Sequence, residues 1–352
     1  MKIKTVLEKT ISGDRITEDE AILLFERGEL LELGLAADAV CWRMHPEQWR
    51  TYVVDRNINY TNICISRCKF CAFYRDIDSY DAYLLSDEEI YAKIAEAVEL
   101  GATQILMQGG LHPNLGIDYY ERLIRGIKDR FTVHVHSLSP PEVVHVSKVS
   151  DLTVEATVFR LKAAGLDSIP GGGAEILADG VRNSISPGKC GAGEWLGVME
   201  TAHKLGMRTT ATMMFGHAES YADRVEHMLR VRELQDRTGG FTAFIPWTFQ
   251  PSNTELGGTA VGGHEYLRTL AISRLALDNV PNIQASWVTQ GAKIGQVSLF
   301  FGANDLGSTM IEENVVAAAG VRFRMSEEEI RRLISEAGFE PKRRDTYYKI
   351  LE

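Results

Sequence analysis

The chain has 352 residues, of which 45% are hydrophobic and 24% charged, and its formal net charge at pH 7 is −10. This composition is typical of a globular protein with a sizeable core. The acidic balance argues against a general nucleic-acid or membrane-surface binder, although a locally basic pocket for an anionic substrate is compatible with it. No run approaches the roughly 20 apolar residues of a membrane-spanning helix. Five cysteines, an odd number, and no evident export signal predict reduced thiols in a cytoplasmic protein.

Both ends of the chain are predicted to be helical. Residues 1–50 are expected to form a small helical cap, in which Thr17–Glu20 has the capping-box pattern of a helix start. Residues 326–352 are expected to form a terminal helix, Ser326–Gly338, followed by a basic patch, Lys342–Arg344. The segment between them, residues 51–325, is predicted to be the main domain.

This main domain alternates strands with helices. The predicted strands are 52–60, 103–107, 132–136, 166–169, 208–215, 241–247, 283–287 and 303–306. A second capping box at Ser86–Glu89 begins the first helix between them. Short apolar strands that alternate with helices imply parallel pairing through right-handed crossovers. Eight such units predict an α/β fold of the (β/α)8 TIM-barrel type, with an open doubly wound sheet as the alternative.

Three cysteines follow the first predicted strand at C-x3-C-x2-C spacing: Cys64, Cys68 and Cys71. A closed zinc site takes four ligands, and the common iron–sulfur clusters usually have four thiolates. Three close thiolates therefore indicate a [4Fe-4S] cluster with one iron left open. A disulfide with a spare thiol, or a zinc knuckle completed by a distant histidine, are the alternatives. Cys41 and Cys190 are predicted to be unligated.

Further candidate residues lie where predicted strands end, at the edge that carries the active site in such barrels. They are Gln108, Gly109 and Gly110 after the second strand, His136 and Ser137 after the third, and Gly171, Gly172 and Glu175 after the fourth. Glycine lets the backbone approach a ligand closely, whereas an ordinary turn is the alternative. Trp247, Gln250, Trp287 and Gln290 are predicted to line a substrate pocket, with core packing as the alternative for the tryptophans.

The cysteine spacing, with Phe70 before the third cysteine, resembles the signature of radical S-adenosylmethionine (SAM) enzymes. The resemblance implies that the open iron binds the methionine part of SAM and that reduction cleaves SAM to a 5′-deoxyadenosyl radical. The residues expected to bind SAM are Phe70, Gln108, Gly109, Gly110, Ser137, Gly171, Gly172, Glu175 and Arg182. Arg182 is the candidate partner of the SAM carboxylate, or else a solvated surface arginine.

Longer stretches extend the resemblance over nearly the whole chain. They are Asn57–Asn62, Cys68–Arg75, Ile169–Leu177, Thr210–His217, Gly240–Pro251 and Gly302–Met310. Together they resemble the cyclic dehypoxanthinyl futalosine synthase family, radical SAM enzymes of the futalosine route to menaquinone. Phe244–Pro251 and Gln284–Gly291 discriminate best from sister families. The glycine-rich loop Gly188–Gly193 departs from the family pattern.

This resemblance implies a cyclisation of dehypoxanthine futalosine. The deoxyadenosyl radical takes hydrogen from the ribose C4′, the ribosyl radical attacks the benzoate ring, and loss of an electron and a proton restores aromaticity. His217 and Asp305 are the candidate bases, and His217 is favoured because imidazole titrates near neutral pH. A reduced flavodoxin- or ferredoxin-type protein is the expected electron donor. The alternatives are radical addition to an enolpyruvyl benzoate, as in aminofutalosine synthase, and a non-enzymatic metal-binding scaffold.

Overall fold

The computed structural model describes residues 2–351. The strands are β1 (Trp49–Val53), β2 (Asp55–Ile58), β3 (Gln104–Met107), β4 (His134–Ser137), β5 (Ser168–Ile169), β6 (Arg208–Phe215), β7 (Phe241–Thr248), β8 (Asn282–Ile283), β9 (Asp305–Ser308) and β10 (Glu340–Arg343). The helices are α1 (Ile3–Ser12), α2 (Glu18–Arg27), α3 (Leu30–Met44), α4 (Asp87–Glu99), α5 (Ile117–Arg130), α6 (Pro140–Val149), α7 (Val154–Ala164), α8 (Asp179–Ile185), α9 (Ala192–Lys204), α10 (Tyr221–Thr238), α11 (Gly263–Ala276), α12 (Trp287–Ser298), α13 (Val315–Ala318) and α14 (Glu327–Glu336).

The strands close into a parallel barrel. β2 to β8 form a seven-stranded sheet in sequence order. β9 completes the ring: the Ala285 N–H donates to the Asp305 carbonyl at 2.9 Å, and the Thr309 N–H donates to the Val53 carbonyl at 3.0 Å. β1 pairs with β9 and continues into β2 through Val54 alone, so the two act as one bent strand. The predicted (β/α)8 barrel is confirmed.

Local signals in the sequence correctly mark the helix boundaries. Both predicted capping boxes form, Thr17 with Glu20 before α2 and Ser86 with Glu89 before α4. Gly165 ends α7 with a φ of 113°, a left-handed conformation that glycine adopts without strain. No helix in residues 2–351 has both the length and the apolar composition needed to cross a bilayer.

One predicted strand is wrong, and one strand was not predicted. The strand predicted over 283–287 ends at Ile283, and Trp287 instead begins α12. Lys342 and Arg343 of the predicted basic patch lie in strand β10, which runs parallel to β1 with Tyr52 opposite Arg343. The side of β1 that faces away from β9 would otherwise carry unpaired backbone N–H and C=O groups. Pairing with β10 satisfies them. The side chain of the next residue, Arg344, is consequently 5% exposed inside the barrel.

A buried ion pair joins the C-terminal tail to the barrel floor. Arg344 donates from Nε and Nη2 to the two carboxylate oxygens of Asp305, at 2.5 and 2.9 Å. The Thr51 hydroxyl donates to the same carboxylate at 2.5 Å, and the Tyr348 ring centroid lies 3.9 Å from the guanidinium carbon. The bidentate pair therefore ties β9, β1 and the tail together, and its charges compensate each other away from water.

Replacing Arg344 with alanine leaves Asp305 buried without a cation. We expect Arg344→Ala to lower the free energy of unfolding by about 3–5 kcal/mol, the usual result of breaking a buried pair from one side. Arg332→Ala is the matched control, since Arg332 forms an exposed pair with Glu336, and we expect a loss of about 0.5 kcal/mol or less. Urea denaturation measures both, and equal losses would contradict the assignment.

Candidate active site

The carboxyl ends of the barrel strands surround one cavity of about 380 Å³. Thirteen of the side chains or glycines predicted for the site line this cavity: Cys64, Cys68, Phe70, Cys71, Gln108, Gly109, Gly110, His136, Gly171, Gly172, Glu175, Trp247 and Trp287. They come from loops after β2, β3, β5 and β8 and from strands β4 and β7 themselves. The parallel arrangement thus brings residues that are distant in sequence to one rim.

The cysteine loop follows β2 and presents all three thiols to the cavity. Its turn is fixed by the Cys64 N–H donating to the Arg75 carbonyl and the Cys71 N–H donating to the Cys68 carbonyl, both at 3.0 Å. Within residues 2–351, no three His, Cys, Asp or Glu side chains converge as the ligands of a single metal ion would. Three thiols that line one cavity are a donor set that fits an iron–sulfur cluster, in which each thiolate binds its own iron.

The glycine loop after β3 packs directly on the cysteine loop. A Cβ on Gly110 would lie 2.2 Å from the carbonyl oxygen of Ile63, and one on Gly109 would lie 2.6 Å from the Tyr60 ring. The Gly109 N–H donates to the buried carboxylate of Glu142 at 3.0 Å. Positions 109 and 110 therefore require glycine, because the Tyr60 ring and the Ile63 backbone leave no room for a side chain. This requirement holds whatever ligand binds in the cavity.

The glycine loop after β5 is equally constrained. A Cβ on Gly171 would lie 2.6 Å from the Cα of Ala211, and one on Gly172 would lie 2.2 Å from Nε2 of Gln108. The two glycine loops therefore meet across the cavity rim, with Gln108 between them. Their backbone groups, rather than side chains, form this part of the cavity surface.

Lys189 is a cavity residue that the sequence analysis did not identify. Its ammonium pairs with the carboxylate of Glu175 and lies 5.0 Å from the centroid of the Phe70 ring. Burial raises the pKa of the Cys68 thiol to about 11, and the Lys189 charge partly opposes this effect. The unusual glycine-rich loop Gly188–Gly193 was the available signal, because such a loop lets the chain bring this lysine inward.

Two residues expected to bind SAM lie outside the cavity lining. Arg182 is 1% exposed and donates to the carbonyls of Gly173, Ala174 and Cys190. It therefore holds the glycine loop in shape, and the expected contact with the SAM carboxylate is not supported by its position. Ser137 donates to the Met107 carbonyl at 2.6 Å and bridges β4 to β3.

Both expected bases are also engaged elsewhere. The His217 side chain is fully buried, its Nε2 lies 3.1 Å from the Met214 carbonyl, and its Nδ1 accepts from the Ala218 N–H at 2.7 Å. Burial lowers the pKa of His217. Asp305 forms the floor ion pair with Arg344. Neither residue lines the cavity, so the position of each argues against the expected role.

The predicted substrate residues divide into two groups. Trp247 and Trp287 line the cavity. Gln250 lies behind it and donates to the Thr248 carbonyl at 3.1 Å, and Gln290 donates to the Thr248 hydroxyl at 2.7 Å. The glutamines thus buttress the end of β7, and the tryptophans supply the aromatic surface.

The chain is similar to known proteins along its whole length. Residues 58–231 match the radical SAM superfamily, and residues 238–352 match the C-terminal region of the CofH/MqnC family. The chain is 47% identical to a cyclic dehypoxanthine futalosine synthase of Halalkalibacterium halodurans, with 100% of this chain and 95% of that relative covered. It is 46% identical to a 5-amino-6-(D-ribitylamino)uracil–L-tyrosine 4-hydroxyphenyl transferase of Archaeoglobus fulgidus, with 86% of this chain and 89% of that relative covered.

A solved structure supports the fold independently. The FeFe-hydrogenase maturase HydG from Carboxydothermus hydrogenoformans superimposes with a TM-score of 0.78 at 17% identity, over 98% of this chain and 80% of that one. At 17% identity this similarity shows a shared fold and nothing about the reaction.

The fit between Gly110 and the cysteine loop is testable by adding one methyl group. We expect Gly110→Ala to lower the free energy of unfolding by about 1–3 kcal/mol, because the loop must shift to relieve the clash. Gly197→Ala is the control: it lies on the exposed face of α9 with nothing within 4 Å of a Cβ, and alanine there is favoured by about 1 kcal/mol or less. Urea denaturation of both variants gives the comparison, and a stabilised Gly110→Ala would refute the close packing.

Proposed function

Because the chain belongs to the radical SAM family of the cyclic dehypoxanthine futalosine synthases, we propose that it cyclises dehypoxanthine futalosine in menaquinone biosynthesis. The observation that carries this proposal is the full-length similarity to the Halalkalibacterium synthase. The aromatic cavity beneath the cysteine loop is consistent with a substrate that contains a benzoate ring. The product is lighter than the substrate by two hydrogen atoms, one lost to the deoxyadenosyl radical and one as a proton with an electron.

Membership of the radical SAM superfamily implies a [4Fe-4S] cluster and SAM as cofactors. Cys64, Cys68 and Cys71 would hold three irons, and the fourth iron would be open to the methionine part of SAM. When bound, the reduced cluster supplies the electron that cleaves SAM to methionine and the deoxyadenosyl radical. The electron reaches it from a reduced flavodoxin- or ferredoxin-type protein.

The chain's own residues bind and orient the two small molecules. The backbones of Gln108–Gly110 and of Gly171–Gly172 provide close, side-chain-free surfaces for SAM. Lys189 adds a buried positive charge beside the cysteine loop, suited to a carboxylate. Trp247 and Trp287 offer apolar faces on which an aromatic substrate packs. Closing these groups around the reactants excludes water from the radical step.

Hydroxyphenyl transfer from L-tyrosine to 5-amino-6-(D-ribitylamino)uracil is a second candidate, because the similarity to the Archaeoglobus transferase is nearly as high. Addition of the adenosyl radical to an enolpyruvyl benzoate, as in aminofutalosine synthase, is a third reaction within the same superfamily. The fate of the adenosyl group distinguishes this third reaction from the cyclisation. The addition incorporates the adenosyl group into the product, whereas the cyclisation releases free 5′-deoxyadenosine.

The proposed reaction is tested by anaerobic incubation of the reduced, cluster-containing protein with SAM and each candidate substrate. We expect dehypoxanthine futalosine to give free 5′-deoxyadenosine and a product lighter by two hydrogens, both measured by mass spectrometry. A hydroxyphenyl adduct from tyrosine and the ribitylaminouracil, with no cyclic product, would replace the proposal by the second candidate. An adenosylated product from the enolpyruvyl benzoate would replace it by the third.

The cysteine roles are tested by single substitutions. Cys64→Ala, Cys68→Ala and Cys71→Ala should each lower the bound iron and abolish SAM cleavage, because each removes one thiolate ligand. Cys41→Ala should keep both properties, since Cys41 is buried in α3, away from the cavity lining. Iron analysis and deoxyadenosine formation are the measurements. Full SAM cleavage by Cys68→Ala would contradict the proposed cluster site.

A further inference from the structure

Three side chains form a hydrogen-bonded chain below the cavity. The Ser168 hydroxyl oxygen lies 2.6 Å from Nδ1 of His136 and 2.6 Å from Nε2 of His134. Strand pairing fixes this contact, because His136 of β4 stands opposite Ser168 of β5. The two histidines are two residues apart on β4 and so share one face of the strand.

The upper end of this chain faces the cavity. His136 is 7% exposed and belongs to the cavity lining. Within residues 2–351, its Nε2 has no hydrogen-bond partner, whereas Nδ1 is held by Ser168. The Nε2 lone pair of this cavity-lining ring is therefore free to accept a proton, provided that Nδ1 carries the ring proton and donates it to Ser168.

The carboxylates of the cavity lining lack this freedom. Both carboxylate oxygens of Glu142, of Asp55 and of Glu313 accept hydrogen bonds. Glu175 is paired with Lys189. His136 is thus the cavity group best placed to accept a proton from a bound molecule.

The lower end of the chain reaches the half-buried floor of the barrel. The His134 ring packs edge-on against Tyr347 at a centroid distance of 5.0 Å. The charged groups that act on His134 are Asp167, Lys128 and Asp345, and those that act on His136 are His134 and Arg344. Burial lowers the pKa of His136 to about 3 and that of His134 to about 4, so both rings are neutral near pH 7.

We propose that His136 accepts the proton released when the cyclised substrate radical regains aromaticity, and that Ser168 and His134 carry the charge to the barrel floor. This inference rests on the proposed function. The ring C–H bond breaks, its proton goes to Nε2 of His136, and the electron goes to a one-electron acceptor of the iron–sulfur class. The Nδ1 proton then passes to Ser168, whose own hydroxyl proton passes to Nε2 of His134. The acid left at His134 releases its proton to solvent.

The test uses His136→Asn, which retains a polar atom near the Nδ1 position but removes Nε2. The reduced, cluster-containing protein is incubated with SAM and dehypoxanthine futalosine carrying deuterium at C4′. We expect deuterium to enter 5′-deoxyadenosine as in the parent, whereas the cyclic product formed per deoxyadenosine falls about 100-fold, the scale of losing a general base. The control is His203→Asn, because His203 is also held between two hydroxyls, those of Thr238 and Thr209, outside the cavity lining. Its product ratio should be unchanged.

Ser168→Ala and His134→Asn test the relay rather than the acceptor. With the relay cut, His136 still takes the proton but cannot pass it on, so the product ratio should fall less than in His136→Asn. It should recover as the pH is raised from about 6 to about 9, because hydroxide and buffer bases then remove the proton. A purely structural defect would not show this recovery.

The outcomes separate the two proposals. A parent protein that cleaves SAM but forms no cyclic product overturns the proposed function and this inference with it. A parent that forms cyclic product, beside a His136→Asn variant with a normal ratio, overturns this inference alone. Loss of deoxyadenosine formation in both His136→Asn and Ser168→Ala would also overturn it, since these residues would then act before the radical reaches the substrate.

Discussion

The parallel closure of the barrel is the constraint on which the site depends. β9 hydrogen-bonds to β1 on one side and continues the ladder from β8 on the other. All the barrel strands then point the same way, and the loops after them meet around one cavity. The cysteine loop, the two glycine loops and the tryptophans are far apart in sequence and acquire a common site only through this ladder.

Close backbone approach is the second constraint. At Gly110 and Gly171 the space for a Cβ is already occupied by neighbouring backbone, so the loops act as a rigid frame around the thiols. Arg182 strengthens this frame from behind by satisfying three carbonyls of the β5 loop and its surroundings. Near the cysteines the cavity surface therefore includes the backbone of these loops and one buried ion pair, Lys189 with Glu175.

The floor of the barrel contains a layer of buried polar side chains that pair with one another. The tail after β10 inserts Arg344 and Thr346 among strand residues such as Asp55, Gln104 and Asp305. Buried polar groups are costly unless paired, and here they pair with one another across β1, β2, β3, β9 and the tail. The same polar layer contains His134 and His136, so a route for protons at the floor is compatible with the aromatic surface that Trp247 and Trp287 present to the cavity.

The sequence alone determined the local features: the capping boxes, the glycine helix ends, the strand and helix alternation, and the cysteine spacing that indicates cluster chemistry. These features depend on residues that are close together in the chain, so the spacing of residue types in the sequence indicates them directly. Only the tertiary structure decided which side chains face the cavity. Arg182, His217 and Asp305 have the right chemistry in or after barrel strands or in the helix that follows one, but each is turned toward partners that the sequence does not reveal. Lys189 and His136 face inward because a loop path and a strand register place them there. Orientation depends on contacts between distant segments, since a side chain turns toward whichever partner best compensates its burial, and that partner exists only once the barrel has closed.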